Sequence, residues 1–300
     1  MTDLFKSGYA SIVGRPNVGK STLLNCLMAK KVAVTSNRPQ TTRNKITGVL
    51  HLPGAQIILV DTPGIHQSDR TLNEMMVRAS VSTFSDVDLL LVMLSAESGF
   101  CVEDEFVLNS MRGVKTKKVL VINKVDLVDK SNLLILMDKM NQKSLFEEII
   151  PISALKEDGL NQLKSLIINY LPEGPEYFPK DMDTDCPETF LFGELIREKI
   201  LKLTRFEIPH SVAVVVEDMY EQNNGVVQID ATIYAEKDSQ KKILIGERGS
   251  MLKNIGRQAR QDIEKRIGAK IFLKLFVKVK ANWRDQKKTI KEFGYTHDSF

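Results

Sequence analysis

The chain has 300 residues, of which 43% are hydrophobic and 27% are charged, a composition typical of a soluble globular protein with room for two domains. Its three cysteines, Cys26, Cys101 and Cys186, are far apart and have no C-x-x-C or His-rich neighbour, which argues against a disulfide framework and a zinc site. No run of about 18 apolar residues occurs, and the first ten residues lack a signal-peptide pattern, so we expect a cytoplasmic protein.

The net charge of +4 is unevenly distributed along the chain. Residues 1–178 carry 20 Lys+Arg against 19 Asp+Glu, residues 179–240 carry 6 against 13, and residues 241–292 carry 16 against 5. Basic charge concentrated late in the chain indicates a polyanionic partner, either nucleic acid or a membrane surface. Charged runs are usually solvated faces, so the sequence motifs are needed to show whether this region binds such a partner.

Short apolar runs alternate with helical patterns over the first half of the chain. The predicted strands are Tyr9–Val13, Ile46–Leu52, Gln56–Val60, Val87–Leu94, Val119–Ile122 and Glu148–Pro151. The predicted helices lie near Ser21–Ala29, Leu72–Phe84, Glu103–Met111, Ser131–Asn141 and Leu160–Tyr170. The runs LLLVML and VLVI do not alternate, as expected for parallel strands covered on both faces. This order predicts a doubly wound, mostly parallel α/β sheet with ligand loops at the carboxyl ends of its strands.

The first predicted strand leads into GRPNVGKST, which fits the G-x-x-x-x-G-K-[ST] pattern of a phosphate-binding loop. Gly14 and Gly19 allow the main chain to curl around a phosphate, and the helix that follows directs the positive end of its dipole at the anion. We expect Lys20 to reach the β- and γ-phosphates and the Ser21 hydroxyl to ligate Mg²⁺. A plain glycine-rich turn also fits the pattern, but the flanking strand and helix favour the phosphate loop.

The stretch TSNRPQTTRNK, which precedes the strand at Ile46, is polar and has no apolar periodicity. Thr41 and Thr42 are candidates to complete the Mg²⁺ shell, and we choose Thr42. Without GTP we expect this stretch to be a solvated loop.

Asp61-Thr62-Pro63-Gly64 directly follows the strand Gln56–Val60. An Asp at a strand end suits Mg²⁺ coordination through water, and Gly64 allows a backbone N–H to approach a γ-phosphate. In isolation D-T-P-G is a turn. Placed after a phosphate loop, it indicates a nucleotide switch.

Asn123-Lys124-Val125-Asp126 follows the strand Val119–Ile122. The Asp126 carboxylate can accept hydrogen bonds from an N1–H and an exocyclic amine, a pair that guanine offers and adenine does not. An N-x-x-D turn is the alternative reading. Ser153-Ala154-Leu155, after the strand that ends at Pro151, would add a backbone contact to the base.

Taken together, GRPNVGKS, PQTTR, DTPG, NKVD and SAL resemble the five signature motifs of the translation-factor-like GTPases over residues 8–170. The resemblance implies GTP binding, dependence on Mg²⁺ and hydrolysis to GDP. It implies catalytic roles for Lys20, Asn17, Thr42 and Gly64, and metal ligation by Ser21, Thr42 and Asp61. The implied nucleotide contacts are Gly14, Arg15, Pro16, Asn17, Val18, Gly19, Lys20, Ser21, Thr22, Asp61, Thr62, Pro63, Gly64, Ile65, Asn123, Lys124, Val125, Asp126, Ser153, Ala154 and Leu155.

The chain departs from the Ras-like pattern at Ile65, where those GTPases place a Gln that orients the attacking water. An apolar side chain cannot do this by hydrogen bonding. Related GTPases with Asn at the position of Asn17 use a potassium ion beside the phosphates. We therefore expect slow intrinsic turnover that is faster in K⁺ than in Na⁺.

The stretch LPEGPEYFPKDMDTDCPE, from Leu171 to Glu188, contains four prolines and many acids, and indicates an extended interdomain linker. A different pattern follows it: a helix over Thr189–Thr204, a strand over Ser211–Tyr220, and a turn at QNNG before a strand over Val226–Ala235. A helix near Gln240–Ile245 then runs through GERG into a second helix that ends near Ile267, and Lys270–Lys280 forms the last strand. The predicted order is α-β-β-α-α-β.

The GERG sequence between two helices lies in the most basic part of the chain. A lone G-x-x-G is usually an ordinary turn, but in this order IGERGSMLKNIG resembles a type II KH domain, whose loop holds single-stranded RNA. The implied RNA contacts are Ile245, Gly246, Glu247, Arg248, Gly249, Lys253 and Arg257. Phe272 and Phe276 lie on the lysine-bearing face of the last strand, where they either stack on bases or pack under another element.

This arrangement resembles the Era family: residues 1–171 as a GTPase domain, 172–188 as a linker, 189–284 as a type II KH domain and 285–300 as a C-terminal tail. The resemblance implies a monomeric, cytoplasmic GTPase that binds the 3′ region of small-subunit (16S-type) rRNA and assists assembly of the small ribosomal subunit. It also implies peripheral association with the inner membrane, and no DNA partner is expected. The alternative is a membrane-surface signalling GTPase that binds anionic lipid through its basic region; the G-x-x-G topology and the lack of a lipidation signal argue against it.

Overall fold

The computed structural model of the chain describes residues 5–36, 38, 41–65, 70–223 and 225–295. The chain forms two compact units, whose main division in the sequence lies between Asp185 and Cys186, and the short stretch Arg70–Leu72 groups with the second unit. The division lies within the stretch for which the sequence predicts a linker.

The first unit is built around a six-stranded sheet in the order β2-β3-β1-β4-β5-β6. The strands are β1 (Lys6–Val13), β2 (Ile46–Leu52), β3 (Ala55–Asp61), β4 (Leu89–Ser95), β5 (Lys117–Asn123) and β6 (Glu148–Pro151). The helices are α1 (Lys20–Met28), α2 (Thr71–Ser82), α3 (Val102–Ser110), α4 (Lys130–Asn141) and α5 (Leu160–Tyr170). Only the β2–β3 pair among these neighbours is antiparallel, so the predicted doubly wound, mostly parallel sheet is confirmed.

The central strands are buried on both faces, which explains their unbroken apolar runs. Every residue of β3 and β4 is buried. Removal of each Leu or Ile side chain from water stabilises the fold by ~1.5–3 kcal/mol. Strand β1 lies between β3 and β4, so the strand order of the sheet reverses at β1. A crevice at such a reversal of strand order is where α/β sheets bind ligands.

The acidic, proline-rich stretch before Cys186 is packed against this sheet. Gln56, which is fully buried in β3, accepts a hydrogen bond from the Tyr177 N–H at 2.8 Å and donates one to the Phe178 carbonyl at 2.7 Å. Further along, the Val49 N–H donates to the Asp183 carbonyl at 2.9 Å. The stretch is therefore held on the first unit at least as far as Asp183.

The second unit is a three-stranded sheet, in the order β7-β8-β9, packed against helices. Its elements are α6 (Glu188–Leu203), α7 (Ile208–Ser211), β7 (Ala213–Glu221), β8 (Val227–Ala235), α8 (Asp238–Ile245), α9 (Ser250–Ile267), β9 (Ile271–Val279) and α10 (Lys287–Glu292). Strands β7 and β8 are antiparallel, and β9 runs parallel to β8. Apart from the short helices α7 and α10, the predicted α-β-β-α-α-β order is confirmed.

The residues that follow β9 pack on the second unit as far as Tyr295. The Trp283 side chain is fully buried, and its indole N–H donates to the Ser211 carbonyl at 2.9 Å. Phe293 stacks on Tyr234 with ring centroids 4.4 Å apart. The described part of the segment predicted as a tail is thus an ordered part of this unit. In the ranges that the structure covers, no helix has the length and apolar character needed to cross a membrane.

Candidate functional site

The phosphate loop curls around its own lysine. Gly19 has a φ of +103° and caps α1, and Asn17 has a φ of +65°. These left-handed positions favour Gly and Asn, which accounts for both residue types on backbone grounds. The ammonium group of Lys20 donates to the carbonyls of Gly14 and Arg15, each at 3.0 Å. Burial lowers the pKa of Lys20 to about 8, with Asp61 opposing this shift and Arg15 adding to it.

Three oxygen-bearing side chains meet beside this loop, as the sequence predicts for a Mg²⁺ site. The Ser21 hydroxyl donates to Asp61 Oδ2 at 2.6 Å and lies 2.7 Å from the Thr42 hydroxyl. Thr42 also donates to Asp61 Oδ2, at 3.3 Å. The sequence leaves Thr41 and Thr42 as candidates, and Thr42 is the one that joins this cluster.

The environment of Asp61 fits a metal ion. Burial raises the pKa of its carboxyl group to about 6, against the influence of Lys20 and the two hydroxyl donors. Its other oxygen, Oδ1, is buried and has no hydrogen-bond partner among the described residues. A hard divalent cation, held directly by Ser21 and Thr42 and through water by Asp61, would satisfy this oxygen and favour the ionised carboxylate.

The loop after β3 lies directly against the phosphate loop. A Cβ atom at Gly64 would come within 2.8 Å of the Pro16 nitrogen, so only glycine fits there. The Ile65 N–H donates to the Gly14 carbonyl at 3.2 Å, while the Ile65 side chain is fully buried in the core. Ile65 therefore supports the phosphate loop through its backbone, while its side chain belongs to the core.

Thr62 and Pro63, which the sequence predicts to contact the nucleotide, fix the backbone of this loop. The Thr62 hydroxyl donates to the Ile12 carbonyl at 2.9 Å, and the Pro63 carbonyl accepts from the Ser80 hydroxyl at 2.8 Å. A pocket beside the phosphate loop, which we call the phosphate pocket, is lined by residues that include Asn17, Thr41 and Gly64. Gly64 is the residue of D-T-P-G that belongs to this lining.

The side chain of Asn123 joins three of the predicted motifs. Its amide nitrogen donates to the Val18 carbonyl at 2.8 Å, and its oxygen accepts from the Ala154 N–H at 2.9 Å. The same amide occupies the space that a Cβ atom at Gly19 would need. Asn123 is thus a brace between the phosphate loop and the base-binding loops.

Asp126 is exposed, and the Ser153 hydroxyl donates to its Oδ1 at 2.6 Å. This contact orients the carboxylate at the rim where the sequence predicts the base. Lys124, at a φ of +64°, donates to Glu97 at 2.8 Å. The side chain of Leu155 is exposed, and the Val125 N–H donates to the Ile152 carbonyl.

Sequence reasoning missed the residue that anchors Arg15. The Arg15 guanidinium donates to Asp104 Oδ1 at 3.0 Å and also contacts the Ser98 hydroxyl. Asp104 is buried in the first turn of α3, where its second oxygen accepts from the Cys101 N–H at 3.1 Å. Arg15 therefore ties the phosphate loop to α3, and its guanidinium points to Asp104. The only signal in the sequence is the run of acids at the start of the predicted α3.

In the second unit, GERG forms a tight turn between α8 and α9. Gly246, Arg248 and Gly249 all have positive φ values, of 73°, 49° and 79°. Among the described residues, apart from its two chain neighbours, no atom lies within 4 Å of a Cβ position at Gly249, so the outer side of this turn is open. Glu247 and Arg248 are exposed, and Ile245 is half-buried at the end of α8.

A cleft opens beside this turn, between α9 and the edge strand β9. It is lined by Gly249, Leu252, Lys253, Gly256, Arg257, Arg260, Phe272, Leu273 and Leu275. The three cations of this lining lie on α9, and the lining residues contributed by β9 are apolar. The sequence identified Lys253 and Arg257, but not the lining residues Leu252, Gly256 and Leu275.

Comparisons with known proteins match both units. A family model described as a 50S ribosome-binding GTPase matches residues 9–124, and a KH domain model matches residues 207–284. The chain is 48% identical over 291 residues to GTPase Era of Geotalea daltonii, covering 97% of this chain and 98% of that protein. It is 50% identical, with the same coverage, to GTPase Era of Geobacter sp. strain M21. The chain belongs to the GTPase Era family.

Solved structures of Era share the whole fold. An Era variant from Aquifex aeolicus, bound to GDP·AlF₄⁻, has a TM-score of 0.95 and 39% identity, with 97% of this chain and 100% of that chain covered. A structure of Era with MgGDPNP and nucleotides 1506–1542 of 16S ribosomal RNA has the same score and identity, with 97% and 99% covered. The predicted architecture, an Era-type GTPase domain followed by a KH domain, is confirmed.

Proposed function

We propose that this chain is a GTP-hydrolysing switch that binds single-stranded rRNA near the 3′ end of the small-subunit rRNA and assists assembly of that subunit. One observation carries the RNA half of the proposal: the GERG turn opens into a cleft lined by Lys253, Arg257 and Arg260. KH domains hold a few unpaired nucleotides with such a glycine loop, and the cations beside it suit the phosphates of the bound strand.

The first unit supports binding of GTP and Mg²⁺. Lys20 is held by two backbone carbonyls that a β- or γ-phosphate would replace as its partners. Ser21 and Thr42 would turn their hydroxyl oxygens from Asp61 to the cation. Mg²⁺, when bound, supplies positive charge for the charge that develops on the phosphates. Asp126, oriented by Ser153, would select guanine.

The proposed catalytic residues lie around the site for GTP and Mg²⁺. Lys20 would stabilise charge on the transferred phosphoryl group, and the backbone N–H of Gly64 would donate to the γ-phosphate. The buried side chain of Ile65 cannot orient water. Intrinsic turnover would therefore be slow, and a potassium ion beside Asn17 would increase it.

The RNA identity rests on the relative solved with nucleotides 1506–1542 of 16S rRNA. After hydrolysis, release of the γ-phosphate would remove its contacts with the loops of Thr42 and Gly64. We propose that the loss of these contacts leads to the release of RNA. Because ribosomal subunits assemble in the cytoplasm, the proposed function implies a cytoplasmic protein.

The test is to crosslink the GTP-loaded protein to RNA in cells and to sequence what is bound. We expect the 3′ region of small-subunit rRNA, and its absence would overturn the proposal. In vitro, Gly249→Asp should abolish RNA binding and leave GTP affinity unchanged, because it places a carboxylate where phosphates lie. Preference of the wild type for anionic vesicles over single-stranded RNA would instead favour a membrane-surface GTPase.

A further inference from the structure

The sheet of the second unit has a face that points away from its helices. On the helix side, Ile229, Ala231 and Ile233 of β8 are fully buried in the core, with Leu273, Leu275 and Val277 of β9 packed against them. Since side chains alternate along a strand, the intervening residues of β9 lie on the opposite face. These residues are Phe272, Lys274, Phe276 and Lys278.

Part of this outer face is covered and part is open. At one end, Phe293 stacks on Tyr234 of β8, which pairs with Lys278. Toward the other end, Phe272 and Phe276 remain 49% and 51% exposed. Two half-exposed phenylalanines on one strand, with a lysine between them, form an aromatic and cationic strip.

The strip is continuous with the cleft beside the GERG turn. Phe272 lines that cleft together with Lys253 and Arg257. Strand β9 is also the edge of the sheet, so a chain bound in the cleft reaches the outer face by passing over one strand.

Among the three strands of this sheet, the positive charge is carried by β9. Lys274 lies 3.9 Å from Asp230 of β8, and Asp218 of β7 is opposite Asp230 in the sheet. Lys278 and Lys280, farther along β9, are exposed. A narrow polyanion that follows β9 meets the lysines, whereas a flat anionic membrane would also meet the carboxylates.

We propose that Phe272, Lys274, Phe276 and Lys278 form a second platform for single-stranded RNA, which extends the cleft onto the outer face of the sheet. Phe272 and Phe276 are about 13 Å apart along the strand, so their rings would stack on bases that are not adjacent, with Lys274 between them for phosphate. RRM domains stack bases on exposed sheet aromatics in this way. This inference rests on the proposed function.

The experiment compares two RNAs, a 37-nucleotide RNA corresponding to positions 1506–1542 and the shortest fragment of it that the wild type still binds. Phe276→Ala should weaken binding of the long RNA about tenfold, the size expected for one stacked base, and should leave the short fragment unaffected. Phe276→Trp should restore binding, and Lys278→Gln should reduce the salt dependence of long-RNA binding by about one unit of slope. Phe206→Ala is the matched control, because Phe206 is an exposed phenylalanine of the same unit outside the strip.

If Phe276→Ala and Phe206→Ala bind the long RNA with equal affinity, the proposed platform is wrong. RNA binding in the cleft would not be affected by that result. A loss of binding to phosphatidylglycerol-containing vesicles, with RNA affinity intact, would also overturn it and assign the strip to a membrane. If the wild type binds neither RNA, the proposed function itself fails, and the inference fails with it.

Discussion

The guanidinium of Arg15 and the carboxylate of Asp104 form a 3.0 Å ion pair that joins the phosphate loop to the first turn of α3, 89 positions later in the chain. Asp104 is almost completely buried, and the Arg15 side chain is 17% exposed. A charge-assisted bond in such a place contributes about 1.5–3 kcal/mol. It fixes the first turn of the loop before a nucleotide arrives.

Asp104→Asn should therefore loosen the phosphate loop. We expect GDP release to become about tenfold faster, because the neutral amide holds the guanidinium more weakly. Stopped-flow release of a fluorescent GDP analogue measures this rate. Glu105→Gln, which removes a charge from an exposed acid in the same helical turn, is the control and should release GDP as the wild type does. Equal release from the two variants would contradict an anchoring role for Asp104.

Asp126→Asn should change base preference. In the proposed base site the carboxylate would accept from two donors on guanine, whereas an amide would meet one of them with its own N–H, so affinity for GTP should fall about 100-fold. Xanthosine triphosphate offers a carbonyl at that position and should bind the variant better than GTP does. Calorimetric titration with both nucleotides tests this exchange. Asp129→Asn removes the same charge from a nearby exposed position and should keep the preference for GTP.

Asn17 is the residue on which the potassium hypothesis depends. It lines the phosphate pocket in a left-handed conformation, which an alanine adopts only with strain. Asn17→Gly removes the side chain without that strain and is the cleaner variant. Single-turnover GTP hydrolysis should be faster in K⁺ than in Na⁺ for the wild type, and the difference should vanish in the variant. Equal wild-type rates in the two salts would refute the hypothesis.

The lowered pKa of Lys20 predicts a proton linked to nucleotide binding. With a pKa of about 8 in the free protein, the group is largely neutral above pH 8, whereas a bound phosphate favours the ammonium form. Binding should therefore take up a proton above pH 8, and affinity should fall as the pH rises through that value. Calorimetry at pH 8.5 in two buffers of different ionisation enthalpy measures the uptake. The same experiment at pH 7, where Lys20 is already charged, should show no uptake from this group.

The sequence predicts the elements well because local patterns dominate them. Unbroken apolar runs marked β4 and β5, and the glycines at Gly14, Gly19, Gly246 and Gly249 marked turns that need positive φ or close approach. The Ser21, Thr42 and Asp61 cluster could be predicted because Ser21 lies at the start of a helix, Asp61 lies at the end of a strand, and the polar stretch before β2 supplies threonine hydroxyls.

Long-range polar contacts could not be read in this way. Asp104 resembles any acid in a first helical turn, and only the fold brings it to Arg15. Gln56 interrupts an otherwise apolar strand without showing what it would bind. Trp283 follows the last predicted strand with no periodicity around it, so its burial against Ser211 depends on tertiary structure.

The hydrogen bonds of Gln56 define where the GTPase domain ends as a folding unit. An isolated fragment that stops at Leu171 would lose the backbone of residues 177 and 178, leaving a buried amide with two partners missing. Each unmet buried group costs about 1–3 kcal/mol, a large share of the stability of a domain of this size. A fragment that continues to Asp185 keeps these partners, so the proline-rich stretch belongs to the GTPase domain for any dissection of the protein.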